Sequence, residues 1–296
     1  MILSSKFSEN SHGIFYMTLC CFFVSIMVAI VRHLSDEFHI FFILMLRNFF
    51  SLLFFIPEIF KDYKSLLRTK KINLHMIRST NGVFSMFCWF YSISILPLSE
   101  AVSISFMIPF TTTLVAMIFL KEKVKMRNWL AIFVGLIGVA IILRPGFREL
   151  NSGHYFVFGA VILWTISNIT TKIMTKTEKP KTIVAYMSII MLIISTPFAL
   201  PFIKMVSFVD LLWFVSLGFI SNLAYFSISY AYNKSDISML QPVDFTRLIF
   251  TSLIAYFAFG EVVDFWVIMG SVVILCGIII MIPKYKRNKL KKIFSK

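Results

Sequence analysis

Apolar runs of about 20 residues, separated by short charged or turn-forming segments, recur along the whole chain. Because a helix needs about 20 apolar residues to cross roughly 30 Å of hydrocarbon, this pattern predicts membrane-spanning helices. Ten are expected, at approximately 13–33, 39–60, 74–96, 98–120, 127–144, 153–175, 182–203, 209–232, 236–259 and 264–283. The connections are too short for a soluble domain, and the strands of a β-barrel would give shorter, alternating segments. The first run is long, lacks a small-x-small cleavage site and is followed at once by a second span, so it reads as a retained helix and not as a secretory signal.

Composition sharpens this picture. Of 296 residues, 58% are hydrophobic and 15% charged, with 34 phenylalanines, against about half and about a quarter in soluble domains. A mean hydropathy of +0.85 excludes soluble enzymes and nucleic-acid binders, which would have to expose large apolar patches. The net charge of +15 is unevenly placed. With the N-terminus inside, 21 of the 29 Lys and Arg fall on the inner side and four (Arg32, Arg144, Arg148 and Lys204) on the outer side. The remaining four, Arg47, Arg78, Lys172 and Arg247, lie within spans. The asymmetry predicts a multi-pass membrane protein with both termini cytoplasmic, and a basic tail at 284–296 resting on anionic lipid. It accounts for the high pI without nucleic acid as a partner. Cys20, Cys21, Cys88 and Cys276 all fall in spans as small apolar side chains, so no disulfide, metal site or cofactor is expected.

Displacing the chain by 139 residues aligns Tyr91 with Tyr230, Ser99 with Ser238, Phe106 with Phe245, Thr112 with Thr251, Ala116 with Ala255, Glu122 with Glu261 and Gly138 with Gly277. Each half then holds five spans. An odd number forces the halves into opposite orientations across the bilayer, the inverted-repeat architecture of alternating-access carriers. Ala131 and Gly138 match Gly270 and Gly277, which predicts a close-packing strip between spans five and ten.

The stretch FYSISILPLSEAVSISFMIPFTTTLVAMIFLKEKVKMRNWLAIFVGLIGVAIILRPG, residues 90–146, resembles the first repeat of EamA-type carriers in the drug/metabolite transporter superfamily. QPVDFTRLIFTSLIAYFAFGE, 241–261, resembles the corresponding C-terminal repeat. The likeness covers nearly the whole chain and departs at Lys121, where glycine usually precedes the glutamate. It implies an all-α integral membrane fold of ten transmembrane helices, as two inverted five-helix repeats around a central cavity. The repeats span 13–146 and 153–283, and the protein is a monomer or dimer that exports or takes up metabolites.

Ionisable side chains inside a membrane cost roughly 2.5–3.5 kcal/mol on insertion scales, so each needs a cavity or a partner. On span three, Arg78, Asn81, Ser85, Cys88 and Ser92 share one helical stripe, which is either the wall of a polar cavity or an interhelical hydrogen-bonding face. On span nine, which Pro242 opens, Gln241, Asp244, Arg247 and Thr251 share a face. Asp244 and Arg247 either neutralise each other or meet a substrate. Asn222, Tyr225, Ser229 and Tyr232 line up on span eight, and Trp164 and Asn168 on span six. Arg47 with Asn48 sits within span two. Pro109 lies mid-span in span four as a candidate hinge, Glu100 opens that span as a cap, and Glu122 and Glu261 at span ends are read as structural.

A secondary carrier for a small polar metabolite accounts for repeat, topology and stripes together. A membrane-embedded enzyme would need clustered His, Asp or Cys, but the five His lie dispersed near span ends. A primary pump would need a phosphate-cradling GxxxxGK[ST], which this chain lacks. Among EamA-type carriers the chain resembles those that take up S-adenosylmethionine, possible exchange with S-adenosylhomocysteine included; the alternative is an amino-acid or metabolite exporter. Under the adenosyl reading Trp89, Tyr91, Trp164 and Tyr225 hold the base or the cation, Arg78 or Arg247 the carboxylate, and Asp244 or Glu100 the positive groups. With Asn81, Asn168, Asn222 and Gln241, all of these except Glu100 form the expected substrate-binding set.

Overall fold

A computed structural model describes residues 2–57, 60, 66–95, 104–105, 107–143, 152–259 and 265–281. Glu100, Glu261, Arg144, Arg148 and the basic tail from 284 lie outside the described residues. The chain is all-helical among those described, with helices α1 (Ile2–Ser35), α2 (Ile40–Leu53), α3 (Ile72–Ile95), α4 (Met107–Phe119), α5 (Met126–Leu143) and α6 (Ser152–Met174). There follow α7 (Pro180–Ala199), a 3-10 turn at Leu200–Phe202, α8 (Phe208–Lys234), α9 (Ile237–Asp244), α10 (Thr246–Phe259) and α11 (Phe265–Met281).

Four stretches are long and apolar enough to cross a bilayer: Ser11–Ser35, Ser152–Met174, Pro180–Phe202 and Phe208–Lys234. Apolar helices such as α2 and α4 are shorter than the 20-residue spans the pattern predicted. The surface is inverted relative to a soluble protein. Phe119, Ile193, Phe208 and Phe257 are exposed, whereas Ser25, Arg47, Asn48, Ser188 and Gln241 are buried. An apolar exterior around a polar interior is the arrangement that hydrocarbon stabilises and water does not. This is a membrane protein.

Helix ends are closed locally. Ser207 caps α8 by accepting the Asp210 N–H at 3.1 Å, and Pro180 at the first position of α7 lacks an N–H that would otherwise be orphaned. Lys121 adopts φ 53°, the left-handed conformation that glycine takes at no steric cost. It does so at the position where the sequence departs from the EamA pattern.

The principal helix pairings form mates when the two halves are exchanged. α1 packs on α8 as α6 packs on α3, α8 packs on α2 as α3 packs on α7, and α1 packs on α10 as α6 packs on α4. The remaining major pairs, α2 with α7 and α5 with α11, join corresponding helices. Hydroxyl pairs repeat the relation: Thr111 and Thr165 join α4 to α6 at 2.7 Å, and Thr251 donates to Ser25 at 3.0 Å between α10 and α1. On α5 and α11 the small residues meet crosswise. A Cβ on Gly138 would stand 2.8 Å from the Gly270 carbonyl oxygen, and one on Gly277 3.1 Å from that of Ala131. The early part of each helix therefore touches the late part of the other, an antiparallel contact that small side chains allow.

The ninth predicted span is two helices. α9 begins at Ile237, five residues before Pro242, so the proline lies inside the helix and does not open it as the sequence suggested. The Pro242 ring cannot donate to the preceding turn, and the helix breaks at Phe245 before resuming as α10. The break is supported from α1, where the Cys21 thiol points to the carbonyls of Val243 and Asp244 at 3.7 and 3.9 Å. Ser25 donates to the Arg247 carbonyl at 3.1 Å. A broken helix is tolerated in a membrane when neighbours satisfy the freed backbone groups in this way. Pro109, by contrast, falls in the first turn of α4 as described, where its missing N–H is harmless.

Gly138→Leu should drive the α5–α11 contact apart. The expected outcome is a lower thermal unfolding midpoint in detergent, equivalent to about 1–3 kcal/mol. Ile137→Leu, at a neighbouring position that is 56% exposed, should leave the midpoint unchanged.

Candidate functional site

A cavity of about 100 Å³ lies where α1, α3, α6, α7, α8 and the α9–α10 break converge. Seven of the residues expected from the sequence line it: Arg78, Trp164, Asn168, Tyr225, Gln241, Asp244 and Arg247. Their helices explain the convergence. On α6, Trp164, Ser167, Asn168 and Thr171 follow i, i+3, i+4 and i+7, so one polar face turns inward. On α8, Tyr225 and Tyr232 are two turns apart on one face, and Asp244 and Arg247, three residues apart across Phe245, reach the same space.

Asp244 and Arg247 form an ion pair of 3.3 Å spanning the break, with both side chains largely buried. The Cys21 thiol also approaches Asp244 Oδ1 at 3.7 Å. Arg78, on α3, donates from Nε to Thr171 Oγ1 at 2.8 Å, and its guanidinium carbon lies 5.6 Å from the Tyr225 ring centroid. The remaining walls are apolar and sulfur-rich, with Met17, Cys20, Met27, Met86, Met187 and Met191. A single carboxylate, four guanidinium or amide groups and three ring systems in one cavity can hold a metabolite carrying charge at one end and a flat or cationic moiety at the other.

Four expected residues stand outside the cavity. Asn81 donates to its own helix at the Ile77 carbonyl, 2.8 Å away. Ser85 and Ser92, from the same stripe, likewise donate to the carbonyls of Gly82 and Cys88. Trp89 is buried against Trp164, with ring centroids 5.8 Å apart, and Tyr91 packs on Phe156 at 4.4 Å. Asn222 joins three helices: it donates to the Ser51 carbonyl at 2.9 Å and accepts from the Ser51 hydroxyl, which also meets Ser188.

The sequence reading missed the α1 face of Met17, Cys20, Val24 and Met27. Its i, i+3, i+7, i+10 spacing was visible, but in a helix that is apolar all round nothing separates a cavity face from a lipid face. Among the described residues no cluster of His, Cys, Asp and Glu could hold a metal ion.

A family model for EamA-like transporters matches residues 11–144 and again 151–282. The chain belongs to the EamA-like transporter family. Relatives of this transporter include the S-adenosylmethionine uptake transporter of Rickettsia bellii (strain RML369-C), 28% identical over 88% of this chain and 90% of that protein. That of Rickettsia prowazekii (strain Madrid E) is 25% identical over 93% and 95%. The riboflavin transporter of Vibrio cholerae serotype O1 (strain ATCC 39315 / El Tor Inaba N16961) is 28% identical over 72% of each chain. A crystal structure of a protein 15% identical superposes with a TM-score of 0.76 over 92% of this chain and 96% of its own, which shows a shared fold.

Two further ionisable groups of the transporter have structural duties at the turn between α8 and α9. Glu122 accepts the N–H groups of Ile237 and Ser238 at 3.2 and 3.1 Å, so its carboxylate caps the start of α9. The buried ammonium of Lys172 donates to the carbonyls of Tyr232 and Ser235 at the end of α8. Each charge sits at the helix end whose dipole it complements.

Neutralising one member of the Asp244–Arg247 pair leaves the other uncompensated beside the cavity. Asp244→Asn and Arg247→Gln should each lower transport about tenfold or more while membrane insertion stays normal. The double variant should regain thermal stability without regaining transport. Restored transport in the double variant would assign the pair to structure alone.

Proposed function

We propose that this chain is a secondary carrier that takes up S-adenosylmethionine across the bacterial inner membrane by alternating access, in exchange for S-adenosylhomocysteine. The observation that carries the reading is the composition of the cavity: Arg78, the Asp244–Arg247 pair, Trp164 and Tyr225 around one space. The substrate offers a group for each. Its carboxylate suits a guanidinium, its ammonium suits Asp244, and its adenine and sulfonium suit ring faces. The similarity to rickettsial proteins named for this uptake supports the same choice.

In this reading the repeats 13–146 and 153–283 lie inverted and rock about the cavity. The exchange of helix pairings between halves and the antiparallel α5–α11 contact support the inversion. The Lys and Arg asymmetry supports cytoplasmic termini. Pockets that enclose ligands of this size measure roughly 300–1,000 Å³, so the cavity of about 100 Å³ must widen to load. Separation of the halves supplies that widening.

Riboflavin uptake is the second reading, favoured by the similarity to the Vibrio cholerae protein. An uncharged isoalloxazine would use the rings and leave the guanidiniums without a counterion. The test is uptake of labelled S-adenosylmethionine into bacterial cells expressing the carrier, with S-adenosylhomocysteine, riboflavin and amino acids as unlabelled competitors. Saturable uptake blocked by S-adenosylhomocysteine, and accelerated by preloading it, is expected. Absence of uptake with insertion verified would move the assignment to flavin uptake or to export of amino acids or other metabolites.

A further inference from the structure

Most described charges inside the membrane have an assigned partner. Lys172 closes α8, and Asp244 and Arg247 hold each other. Arg47 and Arg78 differ, because neither has a carboxylate partner among the described residues. Arg47 is 1% exposed on α2. Its Nη2 donates to Asn48 Oδ1 at 3.0 Å, and its Nε has no hydrogen-bond partner. Its remaining neighbours are thioethers, Met86 Sδ at 3.0 Å from Nη1 and Met191 Sδ at 3.9 Å from Nη2. Sulfur is a weak acceptor, so a full positive charge is held here largely by poor partners.

Two placements connect Arg47 to the cavity. Met86 and Met191 both line the cavity, and their sulfurs also meet the guanidinium. Tyr225, also in the lining, has the guanidinium carbons of both Arg47 and Arg78 near its ring centroid, at 5.9 and 5.6 Å. Two unneutralised guanidiniums thus share one aromatic ring at the edge of a cavity, one of them already facing it. Methionine is the side chain best able to vacate such a place, since it is unbranched and changes rotamer at low cost.

We propose that Arg47 and Arg78 form a carboxylate subsite that Met86 and Met191 close when it is empty. A substrate carboxylate entering beside Tyr225 displaces the two thioethers and accepts from both guanidiniums. The subsite selects metabolites that carry a carboxylate and rejects the same skeleton without one. It deepens the transport reading above, resting on it only for the choice of adenosyl ligands in the test.

The experiment measures binding to purified wild-type protein and to variants in lipid nanodiscs, using S-adenosylmethionine and its decarboxylated form, which keeps adenine, sulfonium and amine. The wild type should prefer the carboxylate-bearing compound by about tenfold or more. Arg47→Gln should erase that preference by weakening S-adenosylmethionine alone. Met86→Leu, close in volume but without the sulfur acceptor, should bind S-adenosylmethionine at least as tightly as the wild type and keeps the test available should Arg47→Gln fail to fold. Equal weakening of both ligands by Arg47→Gln, or selective loss of the carboxylate compound in Met86→Leu, overturns the subsite. Should neither adenosyl compound bind, methionine is compared with 3-(methylthio)propylamine. An Arg47-dependent preference in that pair overturns the adenosyl substrate and keeps the subsite; absence of a carboxylate preference in both pairs overturns the subsite.

Discussion

Hydrocarbon offers no hydrogen bonds, so every polar group in the membrane must be satisfied by the protein itself, and this constraint governs where the helices of this chain can break and where charge can sit. The break at Phe245 takes the carbonyls of Val243 and Asp244 out of regular helix. They are met by the Thr246 hydroxyl and the Cys21 thiol, and Ser25 adds a bond from α1 to the Arg247 carbonyl just beyond. The turn at the other end of α9 is closed by the same logic with stronger groups, the carboxylate of Glu122 and the ammonium of Lys172. α9 is therefore a short helix fixed at both ends by side chains from other elements.

This arrangement ties the fold to the site. Gln241 and Asp244 reach the cavity from the end of α9, and Arg247 reaches it from the first turn of α10. The Phe245 ring fills the space beside Gly135, where a Cβ would stand 2.5 Å from it. The broken element is thus gripped by α1 on one side and α5 on another. Glu122 follows α4 in the first half of the chain, yet it holds the start of α9 in the second. A movement that separates the halves near this turn must release the two N–H groups from that carboxylate, which makes the contact a natural point of closure.

Much of this was legible in the sequence, for physical reasons. The helical architecture followed from apolar run length, and the α5–α11 contact from the spacing of Ala131, Gly138, Gly270 and Gly277, because close approach of backbones leaves a mark in residue size. Seven cavity residues were readable because a polar side chain on an apolar helix must face inward. The same rule could not separate cavity from helix contact. Asn81 is satisfied by its own helix and Asn222 by Ser51, and both look identical in sequence to residues that face a ligand. Pro242 marked the broken span but not the position of the break, which depends on the acceptors that α1 supplies. The methionine walls left no mark, since Met17, Met86 and Met191 are indistinguishable from lipid-facing residues until the helices are packed.

The charges in the cavity constrain how a zwitterionic cation such as S-adenosylmethionine would be oriented. Arg47 and Arg78 together carry two positive charges near Tyr225, and Asp244 is matched by Arg247. One substrate carboxylate neutralises only one of these charges, so the Tyr225 end remains positive after binding. A sulfonium placed there would be repelled in a medium of low dielectric, where charges interact over longer distances than in water. The permanent cation must therefore lie toward Asp244 and Trp164, and the carboxylate toward the two arginines. S-adenosylhomocysteine keeps the carboxylate and loses the sulfonium charge, so the same cavity holds it without that repulsion. Under the proposed uptake, a site built in this way holds the demethylated compound more tightly than the methylated one wherever both are present.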